Sequence, residues 1–463
     1  MLTKIKGRAF GSSSLGKKDV DMTEGSIVRH IITFAFPLLL GNIFQQFYNT
    51  VDTWVVGNYV SNEAFSAVGT VGSIIFMLIG FYSGLASGAG VVISQHYGAK
   101  QYDKVKEAVH TSIVMTLVLA VVFTIVGIAM TPAALRFMDT PDNVFPESKA
   151  YLTTYFAGVA GLMIYNMGAG ILRAVGDSKR PFYFLVVSAL VNIVLDLLFV
   201  INFSLGVVGV ALATIIAQGI SAVLIMITLV RTDNCVKVSL KDLRVSWEML
   251  GKIVKVGIPA ALQMAITSFS NFFVQSYINY FGADCMSGWT AYSKIDQLVI
   301  LPVQSVSLAS TTFVGQNLGK MQAERAKKGV TVSLMLSVCS AIALMIPIMI
   351  FAPHLVGFFN SKAEVITYGT MILRVISPFN VIVCMNQIYS GALRGAGNSK
   401  VPMIIMLLSF VAFRQVYLFI MSNFISNTVV AIILGYPAGW FVCSVITFIY
   451  YHKTSLVKTS LVK

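Results

Sequence analysis

Charged residues are scarce in this chain, and acids are the scarcer sign. Only 11% of its 463 residues are charged, 19 Asp and Glu against 33 Lys and Arg, where a soluble domain carries about 25%. With 56% apolar residues and a mean hydropathy of +0.80, that shortage excludes a water-soluble, a disordered or a fibrous protein. Five cysteines, Cys235, Cys285, Cys339, Cys384 and Cys443, form no CxxC pair, so no disulfide framework or structural metal is implied. The five histidines, His30, His96, His110, His354 and His452, lie near the ends of apolar runs. No DxxxD, HExxH or phosphate-binding glycine loop occurs, and a membrane-embedded enzyme such as a prenyl transferase needs clustered acids for Mg²⁺ and pyrophosphate. An enzyme and a bound cofactor are therefore not expected. The first 26 residues lack the apolar core of a signal peptide and read as a disordered tail. The last ten, TSLVKTSLVK, are a tandem duplication with no assignable chemistry.

What remains is apolar sequence in long runs. At ~20 residues per span the runs give twelve helices, near 27–52, 62–92, 106–130, 149–172, 181–202, 207–230, 250–280, 287–314, 328–351, 364–392, 401–422 and 428–451. Basic residues orient them. The two tails and the loops after even-numbered helices, with their flanking helix ends, hold 27 of the 33 Lys and Arg. Loops after odd-numbered helices hold Arg136, Lys149 and Lys362, and Lys294, Arg374 and Arg414 fall within spans. The positive-inside rule then puts both termini in the cytoplasm of a bacterial-type plasma membrane. It also explains the net charge of +14 without invoking nucleic acid.

The chain repeats itself. LRAVGDSKRP (172–181) and LRGAGNSKVP (393–402) share six of ten residues, and Arg173/Arg394, Gly176/Gly397 and Pro181/Pro402 are each 221 positions apart. Near that offset Pro37 pairs with Pro259, Gln95 with Gln316 and Gly98 with Gly319. Six helices repeated once share one orientation, because an even number of spans returns the chain to its starting side. The expected fold is all-α and polytopic: two pseudo-symmetric six-helix lobes around a central cleft, related by an axis along the membrane normal. The expected divisions are a tail over 1–26, an N-lobe over 27–232, a linker over 233–249, a C-lobe over 250–452 and a tail over 453–463. Twelve helices make a complete pathway, so a monomer in the lipid bilayer is expected.

Apart from Glu63, Glu107 and Glu364 in the first residues of their spans, three acids lie within spans: Asp52, Asp196 and Asp296. Each costs roughly 2.5–3.5 kcal/mol at mid-bilayer and is a functional candidate by default. Tyr48 precedes Asp52 by four residues and Asn192 precedes Asp196 by four, so each pair shares a helix face. Helix 6 offers Thr214. Asp52 and Asp196 are the only charges embedded in the first half, and a desolvated pair of carboxyls holds a proton or, with amide and hydroxyl oxygens, Na⁺. In the second half Lys294, Asp296, Arg374 and Arg414 read as a structural group, Asp296 paired with one of the arginines, or as polar or substrate contacts. Pro37 and Pro259 interrupt the hydrogen bonding of helices 1 and 7, and Pro37 is the better hinge candidate because it shares a helix with Asp52.

FPLLLGNIFQQFYNTVDTWVVG, GAKQYDKVKEA and LRAVGDSKRP with its repeat resemble the multidrug and toxic compound extrusion (MATE) transporters over about residues 27–451. The resemblance implies a secondary active multidrug efflux transporter. It would exchange H⁺ or Na⁺ for amphipathic organic compounds, often cationic, by rocking alternating access. It implies a cation site of Tyr48, Asp52, Asn166, Asn192, Asp196 and Thr214, with a bend at Pro37. NorM-like members place acids in helices 7 and 10. Here Thr267 lies near the helix 7 position, which points toward the branch of DinF-like proteins. The alternatives are a flippase for a lipid-linked precursor, whose basic cavity Arg374 and Arg414 would line, and a channel.

Overall fold

The computed structural model describes residues 21–462; most of the expected N-terminal tail therefore lies outside the described residues. Helix is the regular structure throughout, and no strand occurs among the described residues. In hydrocarbon every backbone N–H and C=O must be satisfied within the segment, which an apolar helix does and an open strand does not. The helices are α1 (Ile27–Tyr59), α2 (Asn62–Gly98), α3 (Tyr102–Phe137), α4 (Phe145–Ala157 and Val159–Ala174), α5 (Lys179–Asn202) and α6 (Gly206–Arg231) in the first lobe. The second lobe holds α7 (Trp247–Asn279), α8 (Ala283–Gly319), α9 (Ala323–Ile350), α10 (Ala363–Gly395), α11 (Lys400–Ile425) and α12 (Val429–Lys453). Eleven are long and apolar enough to span a membrane. α4, bent by 49° at Gly158, makes twelve when its halves count as one span. Val118, Val121 and Ile125 on α3 are exposed, a face that lipid solvates and water would not.

The repeat is visible in the backbone. Gly176 and Gly397 take φ of +91° and +89° after α4 and α10, a left-handed conformation that glycine adopts without steric cost. Asp177 and Asn398 next to them accept hydrogen bonds from the first turns of α5 and α11, from Arg180 N at 3.1 Å and Val401 N at 3.3 Å. Lys100 and Met321, again 221 apart, both take positive φ, 58° and 62°.

The lobes meet along two seams. On the first, α2 crosses α7 so closely that a Cβ on Gly84 or Gly88 would overlap the backbone of Ala261 or Gly257. On the second, Ile31, Phe34, Ala35 and Leu38 of α1 pack with Ala309 and Phe313 of α8, and Asn42 Nδ2 donates to Ser305 Oγ at 3.3 Å. Both seams occupy the halves of these helices nearest residues 21–26 and 455–462. Farther along α2, Gly69 and Gly72 have nothing within 4 Å of a Cβ position, so the close crossing is confined to one half of the helix.

Three segments outside the spans are packed, among them the described end of the N-terminal stretch that the sequence read as disordered. Met22 is buried and its N–H reaches Gln316 of α8. Residues 456–462 fold back so that Leu456 and Val462 are buried. The linker places Val236 and Val238 in the core, while Ser239 N and Ser246 N donate to His110 Nε2 and Thr111 Oγ1 of α3, at 3.2 and 3.0 Å. Each segment carries apolar residues between its charges, and these are what it buries.

Candidate functional site

The acids of the first lobe converge. α1 packs along α5, which brings Asp52 and Asp196 within side-chain hydrogen-bonding reach of each other, with Thr214 of α6 also at Asp52. Both carboxyls are buried, Asp196 fully and Asp52 at 7% exposure. Neither has a cationic neighbour among the described residues. α5 widens into a π-turn over Leu198–Asn202 immediately beyond Asp196, a local irregularity often found at functional positions.

The surrounding atoms are mostly acceptors. Asp52 Oδ1, both Asp196 oxygens, Asn192 Oδ1 and Gln218 Oε1 are buried with no hydrogen-bond donor, as is Asn192 Nδ2 with no acceptor. Two ionised carboxylates have no proton to share, so such a cluster must take up a proton or a small hard cation to be stable in low dielectric. An oxygen-rich set of carboxyl, amide and hydroxyl groups fits either. Thr214 Oγ1 already donates to the Val210 carbonyl at 3.0 Å, which leaves its lone pairs for a cation.

Of the residues expected here, Tyr48, Asp52, Asn192, Asp196 and Thr214 are buried in this region. Asn166 is half-buried on α4, with its amide nitrogen engaged on the Leu162 carbonyl at 2.9 Å. Pro37 is buried in α1, which runs helical on both sides of it. Sequence reading missed three residues. Gln218 of α6 donates to the Tyr48 hydroxyl at 3.5 Å. Tyr151 and Tyr155, from the first segment of α4, are buried close enough to Asp52 and Tyr48 to feel their charge. The signal was present, since Gln218 is four residues beyond Thr214 and the tyrosines are four apart.

The second lobe differs from expectation. Asp296 forms no ion pair with an arginine among the described residues; it accepts from Asn380 Nδ2 at 2.7 Å and meets Tyr292. Arg414 is 1% exposed. Its guanidinium lies between the rings of Phe410 and Tyr436, 4.6 and 4.5 Å from their centroids, and donates to Ser270 Oγ and Asn271 Oδ1 at 3.2 and 3.4 Å. Aromatic faces and neutral acceptors replace the carboxylate, so the pair is not needed. Arg374 and Lys294 are exposed. Arg414→Lys should lower the unfolding midpoint of the purified protein by several degrees, because lysine keeps the charge but loses ring stacking and the forked donors. A midpoint within about one degree of the parent, followed by intrinsic fluorescence, would show that the aromatic cradle does not hold this residue.

A comparison with protein families matches the MatE family over residues 37–198 and again over 259–420, one stretch in each lobe. Among curated proteins, the probable multidrug resistance protein YoeA of Bacillus subtilis is 28% identical over 433 residues, 92% of this chain and 94% of YoeA. A solved outward-facing multidrug resistance MATE transporter of the MOP superfamily superposes with a TM-score of 0.89 at 24% identity, covering 96% of this chain and 99% of that one. A MOP superfamily transporter from Pyrococcus furiosus superposes equally well, at 0.89 and 24% identity over 94% and 97% of the two chains, and its binding pocket has a reverse polarity that suggests a different function.

Proposed function

The chain belongs to the MatE family, and from that membership we propose that it is a multidrug efflux antiporter, exchanging H⁺ or Na⁺ for amphipathic organic compounds. Members of this family are transporters, so the chain is a multi-pass membrane transporter and not an enzyme. YoeA's designation as a probable multidrug resistance protein supports drug-like cargo.

The observation that carries the reading is the buried pair Asp52 and Asp196, in which Asp52 Oδ1 and both Asp196 oxygens lack a donor and no basic side chain is a neighbour among the described residues. An acidic pocket attracts cationic cargo and coupling cations alike, and the two compete for it. In the cycle proposed here, a cation entering from outside neutralises the pair in the cleft-open state and α1 bends at Pro37, where the Thr33 carbonyl lacks its helical partner. The cargo surface is thereby lost and the lobes rock. The basic loops support a sealed end that faces the cytoplasm. One charge crossing 100 mV supplies about 2.3 kcal/mol, about a fifty-fold gradient of neutral cargo. A singly charged cargo exchanged one for one with H⁺ is moved by the concentration gradient alone.

The absence of carboxylates from the interiors of α7 and α10 supports placement nearer the DinF-like branch than NorM. A flippase for a lipid-linked precursor is the weaker reading, because Arg414 is enclosed by rings and leaves Arg374 as the exposed arginine of that lobe. In cells expressing the protein, ethidium efflux should stop with a protonophore or on Na⁺ removal, and the effective treatment identifies the ion. Efflux indifferent to both overturns the antiporter; movement of headgroup-labelled lipid in proteoliposomes instead supports the flippase.

A further inference from the structure

The floor of the cleft is built by two glutamines of the sequence repeat. Gln95 ends α2, Gln316 ends α8, and both are fully buried. Each crosses to the other lobe: Gln95 Nε2 donates to the Gly395 carbonyl at 2.7 Å and Gln316 Nε2 to the Ala174 carbonyl at 2.9 Å. Their backbones cross as well. A Cβ on Gly98 would overlap the Gln316 carbonyl, and one on Gly319 would overlap that of Gln95. Each amide oxygen is taken by a segment flanking the helical core. Gln316 Oε1 accepts from Met22 N at 3.0 Å; Gln95 Oε1 accepts from Leu461 N at 2.7 Å and Ser460 Oγ at 3.1 Å. Reversing either amide would set donor against donor, so its orientation is fixed by these partners.

The attachments matter more than the bonds. Residues 22–25 are continuous with α1 of the first lobe, yet they dock on the second. Arg325 donates to the Met22 and Gly25 carbonyls, at 3.2 and 2.9 Å, and Lys320 pairs with Glu24 at 2.8 Å. Residues 460–461 are continuous with α12 of the second lobe, yet they dock on Gln95 of the first. They lie over Gly397, where a Cβ would come within 2.8 Å of Leu461 Cγ. Each segment therefore straps one lobe to the other across the seam, at the same pseudo-symmetric glutamine.

We propose that Gln95 and Gln316 are the positioning residues of the gate at this end, and that the two straps hold it shut. Opening the cleft to this side requires both straps to leave. The second copy of the TSLVK duplication, which supplies Ser460 and Leu461, thereby sets the balance between the two cleft orientations. The inference rests on the rocking reading given above, but its test does not require transport.

The test uses the full chain in lipid nanodiscs with its five native cysteines replaced. Spin labels at Asp103→Cys and Glu324→Cys, exposed in the first turns of α3 and α9, report the distance between the lobes at the gate. Deleting residues 459–463 should raise the long-distance population roughly tenfold, the worth of one or two buried hydrogen bonds. Leu461→Pro, which removes the N–H given to Gln95 together with the leucine side chain over Gly397, should act in the same direction, and so should Gln95→Leu, which leaves residue 461 intact. A purely structural role would lower thermal stability and leave the distance distribution where it was. That result in the deletion and in Leu461→Pro overturns the proposal, whether or not the protein exports ethidium.

Discussion

Replacing Asp52 and Asp196 together by Asn should reduce ion-driven ethidium efflux to the level of cells lacking the transporter, while the purified protein melts no lower than the parent. Two effects with opposite signs are combined here. Asn keeps the size and hydrogen-bonding capacity of a protonated Asp, so the buried site loses desolvated charge and gains donors for oxygens that have none, among them Asn192 Oδ1 and Gln218 Oε1. Removing uncompensated buried charge is neutral or stabilising. The same substitution removes the groups that a cation neutralises, so nothing couples ion entry to the state of the cleft. A carboxyl pair kept for structural reasons would give the reverse pattern, with stability lost and coupling retained.

Linkage supplies a second readout on the same variant. If one proton and one cationic dye compete for the pair, apparent dye affinity rises about tenfold for each pH unit over the range in which the site binds its proton. It then levels off once the site is deprotonated. Fluorescence polarisation of a bound dye measures this without a gradient. The double variant should show a flat profile. Under Na⁺ coupling apparent dye affinity instead falls about tenfold for each tenfold rise in Na⁺ concentration over the range in which the site binds Na⁺. A double Asn variant that still pumps at the parental rate with an intact pH or Na⁺ dependence would remove Asp52 and Asp196 from the mechanism.

The fold was legible wherever a long physical pattern carried it. Twelve apolar runs and the basic loops between them set helix number, and the two copies of the LR-x-x-G motif set the lobes down to the positive φ of Gly176 and Gly397. The acid pair was legible because a carboxylate inside a membrane is costly enough to stand out in any helix. Asp296 was misread for a related reason. Charge alone suggested an arginine partner, whereas Arg414 stacks between Phe410 and Tyr436 and donates to Ser270 and Asn271, and Asp296 accepts from Asn380. Neutral partners leave no charge pattern to read. The i,i+4 spacing of Tyr151 and Tyr155 was visible but did not name their partner, and the docked segments were hidden because backbone contacts across about 130 to 370 positions carry no local signature.

A leucine at Gly88 should abolish transport without unfolding either lobe. Gly88 lies on α2 where it crosses α7, and any Cβ there overlaps the Gly257 backbone and comes within 2.9 Å of the Ile253 carbonyl. Backbone cannot swing aside as a side chain can, so the added bulk is relieved by parting the lobes along this seam. Overpacking of this kind costs about 1–3 kcal/mol or more, enough to move a two-state balance ten- to a hundred-fold. Each lobe keeps its own core, and a leucine facing lipid or cleft carries no penalty in an apolar helix. The sealed-end spin labels should therefore report long distances, the dye should no longer bind from the open side, and efflux should cease. Gly69→Leu and Gly72→Leu provide the control on the same helix, because both positions have open space beyond the seam, and both should pump like the parent. Should Gly88→Leu behave as they do, the α2–α7 crossing is not part of the closed seam, and the rocking of two lobes about it fails as the transport step.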